Sequence, residues 1–166
     1  MTAMDATISV THRTVTTART FDAVVDAIRN ATGSLEDGFV KAVEGVEDLN
    51  AFEAAMRERE GSSGFMRFLT IDHGAWMTRF YGLSHRAVTF VMGNPLVAIT
   101  MLREDVEAGL NVPFRLMVME EESSVRLIYD LPSKQMATLS AGARAAALEL
   151  DAKIASLINA VVGDAA

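Results

Sequence analysis

The fold of this chain is decided by the segment Ile71–Pro132, which has the sequence IDHGAWMTRFYGLSHRAVTFVMGNPLVAITMLREDVEAGLNVPFRLMVMEEESSVRLIYDLP. Within it, short runs rich in alternating apolar and β-branched residues are typical of β-strands. The last two runs are separated by only a few polar residues, so we expect them to form a hairpin. We predict three strands, at 86–92, 112–121 and 124–130.

The turn Gly93-Asn94-Pro95 predicts the start of a helix directly after the first of these strands. Asparagine is a good helix N-cap, and proline suits the first helical position. We expect the helix to run from Pro95 to about Gly109. Its inward-facing residues are predicted to be Ile99, Leu102 and Val106.

Periodic segments also flank the deciding stretch. Apolar residues at helical spacing predict a helix over Phe21–Thr32, capped by Thr20, and a long C-terminal helix over Ala145–Val162. Alternation of period two predicts strands at 7–16 and 65–72, and a short helix is expected at 74–83. This order favours a single α+β domain over 1–166, with a largely antiparallel sheet of about five strands backed by helices.

The segment 34–60 has a different character and predicts an inserted pair of acidic helices. Helix-start signals occur near Ser34 and Asn50. Each helix carries one apolar stripe, so we expect the pair to form a lid or wall over one end of the sheet. The side chains predicted to be buried there are Phe39, Val43, Phe52 and Met56.

Composition excludes several classes of function. The 166 residues contain no cysteine, which removes disulfides, thiol nucleophiles and Cys-ligated metal sites. The formal charge of −7 disfavours binding to a phosphate backbone, so we expect no nucleic-acid partner. Apolar runs are shorter than a membrane span requires, and the N-terminal region lacks the apolar core of a secretory signal. We therefore expect no membrane partner and a cytoplasmic location.

Several short motifs occur in an order that resembles domain-of-unknown-function family 302. They are Ile-Asp-His-Gly-Ala (71–75), Gly-Leu (82–83), Gly-Asn-Pro (93–95), Val112-Pro113 and Tyr-Asp-Leu-Pro (129–132). The resemblance covers 7–32 and 64–162, so 34–60 stands out as an insertion. The chain also departs from the family pattern at Ala98–Leu102, and a ligand bound near either region would differ from that of other members.

The resemblance implies a fold similar to that of the TATA-binding protein, in which helices back a curved antiparallel sheet. It also implies a homodimer. It implies no catalytic residues and leaves any cofactor unknown. An independent argument for the dimer comes from strands 65–72 and 112–119, which are apolar on both faces. Four side chains there need a second copy, the inserted helices or a ligand to cover them: Met66, Phe68, Met117 and Met119.

Few residues in the sequence suggest a catalytic or metal-binding site. Asp72 and His73 could act together as a general base, although neighbours on a strand point to opposite faces and both groups suit a strand-to-helix turn. The three histidines, His12, His73 and His85, lack the spacing of a local metal-binding motif, so we predict no metal site. An enzyme that uses Asp72 and His73, or a histidine-bound metal, remains one alternative reading.

The function favoured by these patterns is binding of a small, partly apolar ligand without catalysis. Apolar and methionine residues are abundant and convergent polar groups are few, as in many small-molecule sites. We expect the pocket near the strand ends, between the sheet and the inserted helices or across the dimer. A structural interaction module without a pocket is the second alternative. The predicted ligand contacts are His73, Asn94, Tyr129, Trp76 and Met92.

Overall fold

The computed structural model describes residues 2–163 and contains one six-stranded sheet with helices on both of its faces. The strands are β1 His12–Thr17, β2 Gly33–Ser34, β3 Met66–Asp72, β4 Ala87–Gly93, β5 Phe114–Glu120 and β6 Val125–Asp130. The α-helices are α1 Phe21–Ala31, α2 Phe39–Ala42, α3 Leu49–Arg59, α4 His73–Tyr81, α5 Pro95–Leu102, α6 Pro132–Gln135 and α7 Ala141–Val162. A 3-10 helix, Val106–Leu110, lies between α5 and β5.

The strands are ordered β1-β6-β5-β4-β3-β2 across the sheet, which confirms the predicted α+β class. Neighbouring strands run antiparallel except at one edge, where β2 pairs parallel with β3. The sixth strand beyond the five predicted is β2. It has only two residues, too few to show any alternation in the sequence.

The first strand is shorter than the predicted 7–16, because its partner is short. The strand β1 pairs with β6 from His12 to Thr17, and β6 itself begins at Val125 and ends at Asp130. Residues 7–10 therefore have no strand beside them, although their sequence alternates, and Thr11 keeps a single backbone hydrogen bond from Leu131. Alternation alone does not make a strand when no neighbouring strand supplies a ladder of hydrogen bonds.

One face of the sheet carries the main core. Three residues from each of β4, β5 and β6 point to this face and are buried: Val88, Phe90, Met92, Phe114, Leu116, Val118, Val125, Leu127 and Tyr129. Helices α1 and α7 pack over them through Val24 and Ile28 on one and Leu150 and Ile154 on the other. Within residues 2–163, no helix is both long and apolar enough to cross a membrane.

A second, smaller core lies on the opposite face, under the segment 34–60. It contains the buried side chains of Leu35, Ala42, Met56 and Met66, with Val43, Phe52 and Phe68 packed against them. The segment thus covers Met66 and Phe68, two of the four side chains for which the sequence required a cover. Of the four side chains predicted to be buried, Phe39 remains 41% exposed, because α2 is a single turn and reaches the second core only through Ala42.

The helix after Asn94 ends sooner than predicted, and this changes which residues face inward. Helix α5 stops at Leu102, and a turn leads to Asp105, whose carboxylate caps the 3-10 helix. The buried residue of α5 is Met101. The predicted inward residues Ile99 and Val106 are 43% and 78% exposed, so that part of the prediction is wrong. The single helix predicted over 95–109 is thus two separate helices, an α-helix and a 3-10 helix.

The end of α3 approaches β2 so closely that only glycine fits there. A Cβ atom placed on Gly33 would lie 1.6 Å from the carbonyl oxygen of Arg59, and one on Gly61 would lie 2.4 Å from that of Ala31. Since these neighbours are backbone atoms, neither contact can be relieved by a side-chain rotation. These two glycines therefore fix the position of the segment 34–60 on the sheet.

We expect Gly33→Ala to lower the free energy of unfolding by at least about 2 kcal/mol, because the backbone at Arg59 must move. The measurement is chemical denaturation followed by circular dichroism. Gly109→Ala is the control, since its new Cβ would lie 3.4 Å from the flexible Leu102 side chain. That variant should stay within about 0.5 kcal/mol of the parent. Equal effects of the two substitutions would contradict the close-packing argument.

Candidate functional site

An apolar cavity of about 580 Å³ lies where the two cores meet. Its walls come from the segment 34–60, from α5 and from the adjoining ends of β4 and β5. The volume falls within the range of small-molecule sites. We call this space the apolar cavity; its principal lining side chains are Phe39, Leu49, Phe52, Phe68, Met92, Leu96, Val97, Ile99, Leu102, Val112, Pro113 and Phe114.

The cavity wall formed by α5 is held in place by Asn94. The Asn94 side chain accepts a hydrogen bond from the backbone N–H of Leu96 at 2.8 Å and so caps the helix. Its Nδ2 donates to the carboxylate of Glu60 at 2.6 Å and to the carbonyl of Gly64 at 2.9 Å. The residue is only 4% exposed. Its amide therefore joins α5, β4, the end of α3 and the approach to β3.

Polar side chains on the cavity wall are few. Glu53 forms an ion pair with Arg57 at 3.1 Å, one turn away on α3. Arg103 donates through Nε to the carbonyl of Ile99 at 3.2 Å. No carboxylate in residues 2–163 forms an ion pair with Arg103. The cavity is thus apolar inside, with one neutralised acid and one arginine at its wall.

Two of the five predicted ligand contacts, Met92 and Asn94, line the apolar cavity. The other three lie elsewhere. His73 contacts the hydroxyl of Thr89 through Nε2 at 3.1 Å, and Trp76 packs edge-on against the His73 ring. Tyr129 is buried in the main core, beside a more polar concavity of about 810 Å³ on the side of the 3-10 helix. The structure therefore does not bring the five residues together.

Asp72 and His73 form no hydrogen bond or ion pair with each other. The Asp72 carboxylate accepts a hydrogen bond from the backbone N–H of Ala75 at 2.8 Å and caps α4. His73 begins that helix and turns toward Thr89. Both residues thus shape the strand-to-helix turn. Among residues 2–163, no group of three or more His, Asp or Glu side chains is arranged to hold a metal ion.

One histidine–carboxylate pair was not anticipated from the sequence. Nδ1 of His12 lies 2.7 Å from Oδ1 of Asp130, because the two residues are directly opposite each other on β1 and β6. The signal that would have revealed the pair is the register of two strands separated by more than a hundred residues. The pair borders the same polar concavity as Tyr129, together with Arg115.

Arg86 precedes β4 at the end of that strand away from the apolar cavity, and its guanidinium forms ion pairs with two carboxylates. A hydrogen bond from its guanidinium to Asp22 raises the pKa of Arg86 above its usual value, and the nearby carboxylate of Glu120 adds to the effect. The guanidinium also lies over the ring of Phe21, 4.3 Å from its centre. These contacts attach the start of α1 to the sheet.

We expect Asn94→Ala to lower the free energy of unfolding by about 2 to 3 kcal/mol, since it removes a helix cap and leaves buried polar partners unpaired. Thr20→Ala is the matched control, because Thr20 caps α1 through one bond to Ala23 on an exposed surface. That substitution should cost only about 1 kcal/mol. Denaturant unfolding of both variants makes the comparison, and equal losses would show that the Glu60 and Gly64 contacts contribute nothing.

A solved protein structure has a similar fold. The crystal structure of an uncharacterized conserved DUF302 protein from Bacillus stearothermophilus is similar, with a TM-score of 0.63 over 90% of this chain and 97% of that one. The two sequences are 14% identical, so the likeness concerns the fold alone. No curated protein matches this chain.

A family model gives the stronger evidence, because it matches residues 39–161. The matched range includes α2 and α3, which the sequence had set apart as an insertion. It runs through the Gly-Asn-Pro turn and both strands of the β5–β6 hairpin. Because the match covers well over half of the sequence, the chain belongs to the family described as "Domain of unknown function DUF302".

Proposed function

We propose that this protein binds a small, largely apolar molecule in the apolar cavity. The observation that carries the proposal is the lining itself, a concave surface formed almost wholly by aliphatic and aromatic side chains. Three separate parts of the chain converge there. Small-molecule sites typically combine such walls with a few polar groups that orient the ligand.

The energetic argument is that a ligand restores contacts that the cavity walls lack. Side chains facing a cavity lose van der Waals partners on one side, and an apolar ligand supplies them. Each methylene group removed from water contributes about 0.8 kcal/mol. Methionine and leucine side chains such as Met92 and Leu102 adjust to ligands of different shape.

The segment 34–60 would serve as one wall of the site. Phe39 and Phe52 pack edge-on with their ring centres 6.4 Å apart, and both line the apolar cavity. Behind them, Met56 is fully buried in the second core. This arrangement gives the wall a fixed base and a partly exposed edge, through which a ligand can enter.

Ala98 on α5 also lines the apolar cavity. We expect Ala98→Trp to weaken binding of the neutral dye Nile red by about tenfold or more, the equivalent of 1.4 kcal/mol, because the indole occupies the space needed by the ligand. Ala145→Trp, on an exposed position of α7, is the matched control and should bind the dye like the parent. Fluorescence titration gives both affinities, with circular dichroism to verify folding. Unchanged binding in the Ala98 variant would place the dye elsewhere and contradict the proposal.

We also propose that the protein is a homodimer, as the family resemblance implies. The proposed dimer interface is an exposed aromatic patch on α4. It consists of Trp76, Phe80 and Tyr81, with Leu83 beside it. Apolar patches of this kind usually mark interfaces. A second copy related by a twofold axis would bring the same patch against itself. Met117 and Met119, half-buried on the face of the sheet not covered by α1 and α7, would extend this surface.

We expect the parent protein to show twice the single-chain mass by light scattering at micromolar concentration, and Phe80→Glu to show the single-chain mass. A charge placed in a buried apolar contact lacks a partner and is strongly unfavourable. Leu148→Glu is the control, because Leu148 is an exposed leucine on α7 and its substitution should leave the dimer intact. A monomeric parent would refute the dimer, and a dimeric Phe80 variant would refute this interface.

A further inference from the structure

We propose that the ligand of the apolar cavity is a single-chain amphiphile with an anionic head group, and that Arg103 binds the head group. This inference rests on the proposed function, since it concerns the same cavity. It goes beyond that function by naming the charge of the ligand: the charged side chains at the cavity wall would favour an anionic ligand over a neutral or cationic one with the same apolar chain.

The first step concerns the hydrogen-bonding capacity of Arg103. A guanidinium has five N–H donors, of which Arg103 uses the one on Nε, toward the carbonyl of Ile99. In residues 2–163, the two terminal nitrogens of Arg103 donate to no protein acceptor and form no ion pair. A carboxylate or phosphate fits the fork of these two nitrogens with two parallel hydrogen bonds.

The second step concerns the acid at the same cavity. Glu53 would attract a cationic head group, but its carboxylate already binds the guanidinium of Arg57 at 3.1 Å on the same helix. A ligand ammonium group would have to compete with that intrahelical pair. The remaining uncompensated charge at the wall is therefore positive, although the whole chain carries a formal charge of −7.

The third step is the position of Arg103 relative to the apolar walls. Arg103 is the residue that directly follows α5, and it lines the cavity together with Ile99, whose backbone carbonyl accepts the hydrogen bond from its Nε. It is exposed, so a head group held there stays in contact with water. The apolar chain would then extend between α5 and Phe52. The site would thus offer a solvated charge at one end and apolar walls along the rest, which matches the charged head group and apolar chain of an amphiphile.

The test compares four probes with the same alkyl chain: decanoate, decyl phosphate, decanol and decylamine. Isothermal titration of the full-length protein below the micelle concentration measures each affinity. We expect both anionic probes to bind more tightly than decanol, and decylamine to bind most weakly. The preference for anions should decrease as salt is added, because ions screen exposed charges. The tighter of the two anions identifies a carboxylate or a phosphate as the natural head group.

Arg103→Gln should weaken decanoate binding about threefold to fivefold, the range expected for a solvent-facing ion pair, and leave decanol binding unchanged. Arg144→Gln is the matched control, since Arg144 on α7 also donates to one backbone carbonyl and lies away from the cavity. If decanol binds the parent as tightly as decanoate, or if Arg103→Gln keeps the anion preference, the inference is overturned while the binding function stands. If none of the four probes binds, the proposed function fails as well.

Discussion

The hydrogen bonds of one buried amide determine where the parts of this molecule meet. The Asn94 side chain binds the start of α5, the carboxylate of Glu60 and the carbonyl of Gly64. Because Asn94 is almost completely buried, water cannot replace any of these partners, and a lost bond leaves an unpaired polar group inside the protein. Strand β4, helix α5 and the segment 34–60 are therefore held in one arrangement.

The apolar cavity is a consequence of that arrangement. The sheet carries a core on each face, and Arg67 secures the smaller one by binding the hydroxyl of Thr32 at 2.6 Å and the carboxylate of Glu36 at 3.5 Å. Between these two cores, Phe52 of the segment 34–60 and Leu96 and Ile99 of α5 line the remaining space. The space opens to solvent beside Phe39 and Ile99, which are 41% and 43% exposed, so it is a recess in the surface and not a sealed void.

Sequence periodicity was sufficient for most of the fold, because residues near one another in the chain determine it. The helix over Phe21–Ala31, the hairpin and the Asn94 cap were each predicted from local patterns. The failures share another cause. The pairing of β2 with β3 and the His12–Asp130 contact depend on distant parts of the chain. Local patterns contain no information about such register, and they did not reveal that α5 ends at Leu102.

The same distinction explains why the candidate site could be predicted only in part. Met92 and Asn94 were predicted as ligand contacts at and next to the Gly-Asn-Pro turn, and this turn forms part of the cavity wall. Arg103 carries no local signal, since an arginine after a helix is most often a solvated charge. Arg103 lies at the wall of the apolar cavity because α5 ends at Leu102 and Arg103 is the next residue. A boundary between a charge and an apolar surface, such as the one at Arg103, forms only in the folded chain, because it brings together residues from α5, the sheet and the segment 34–60.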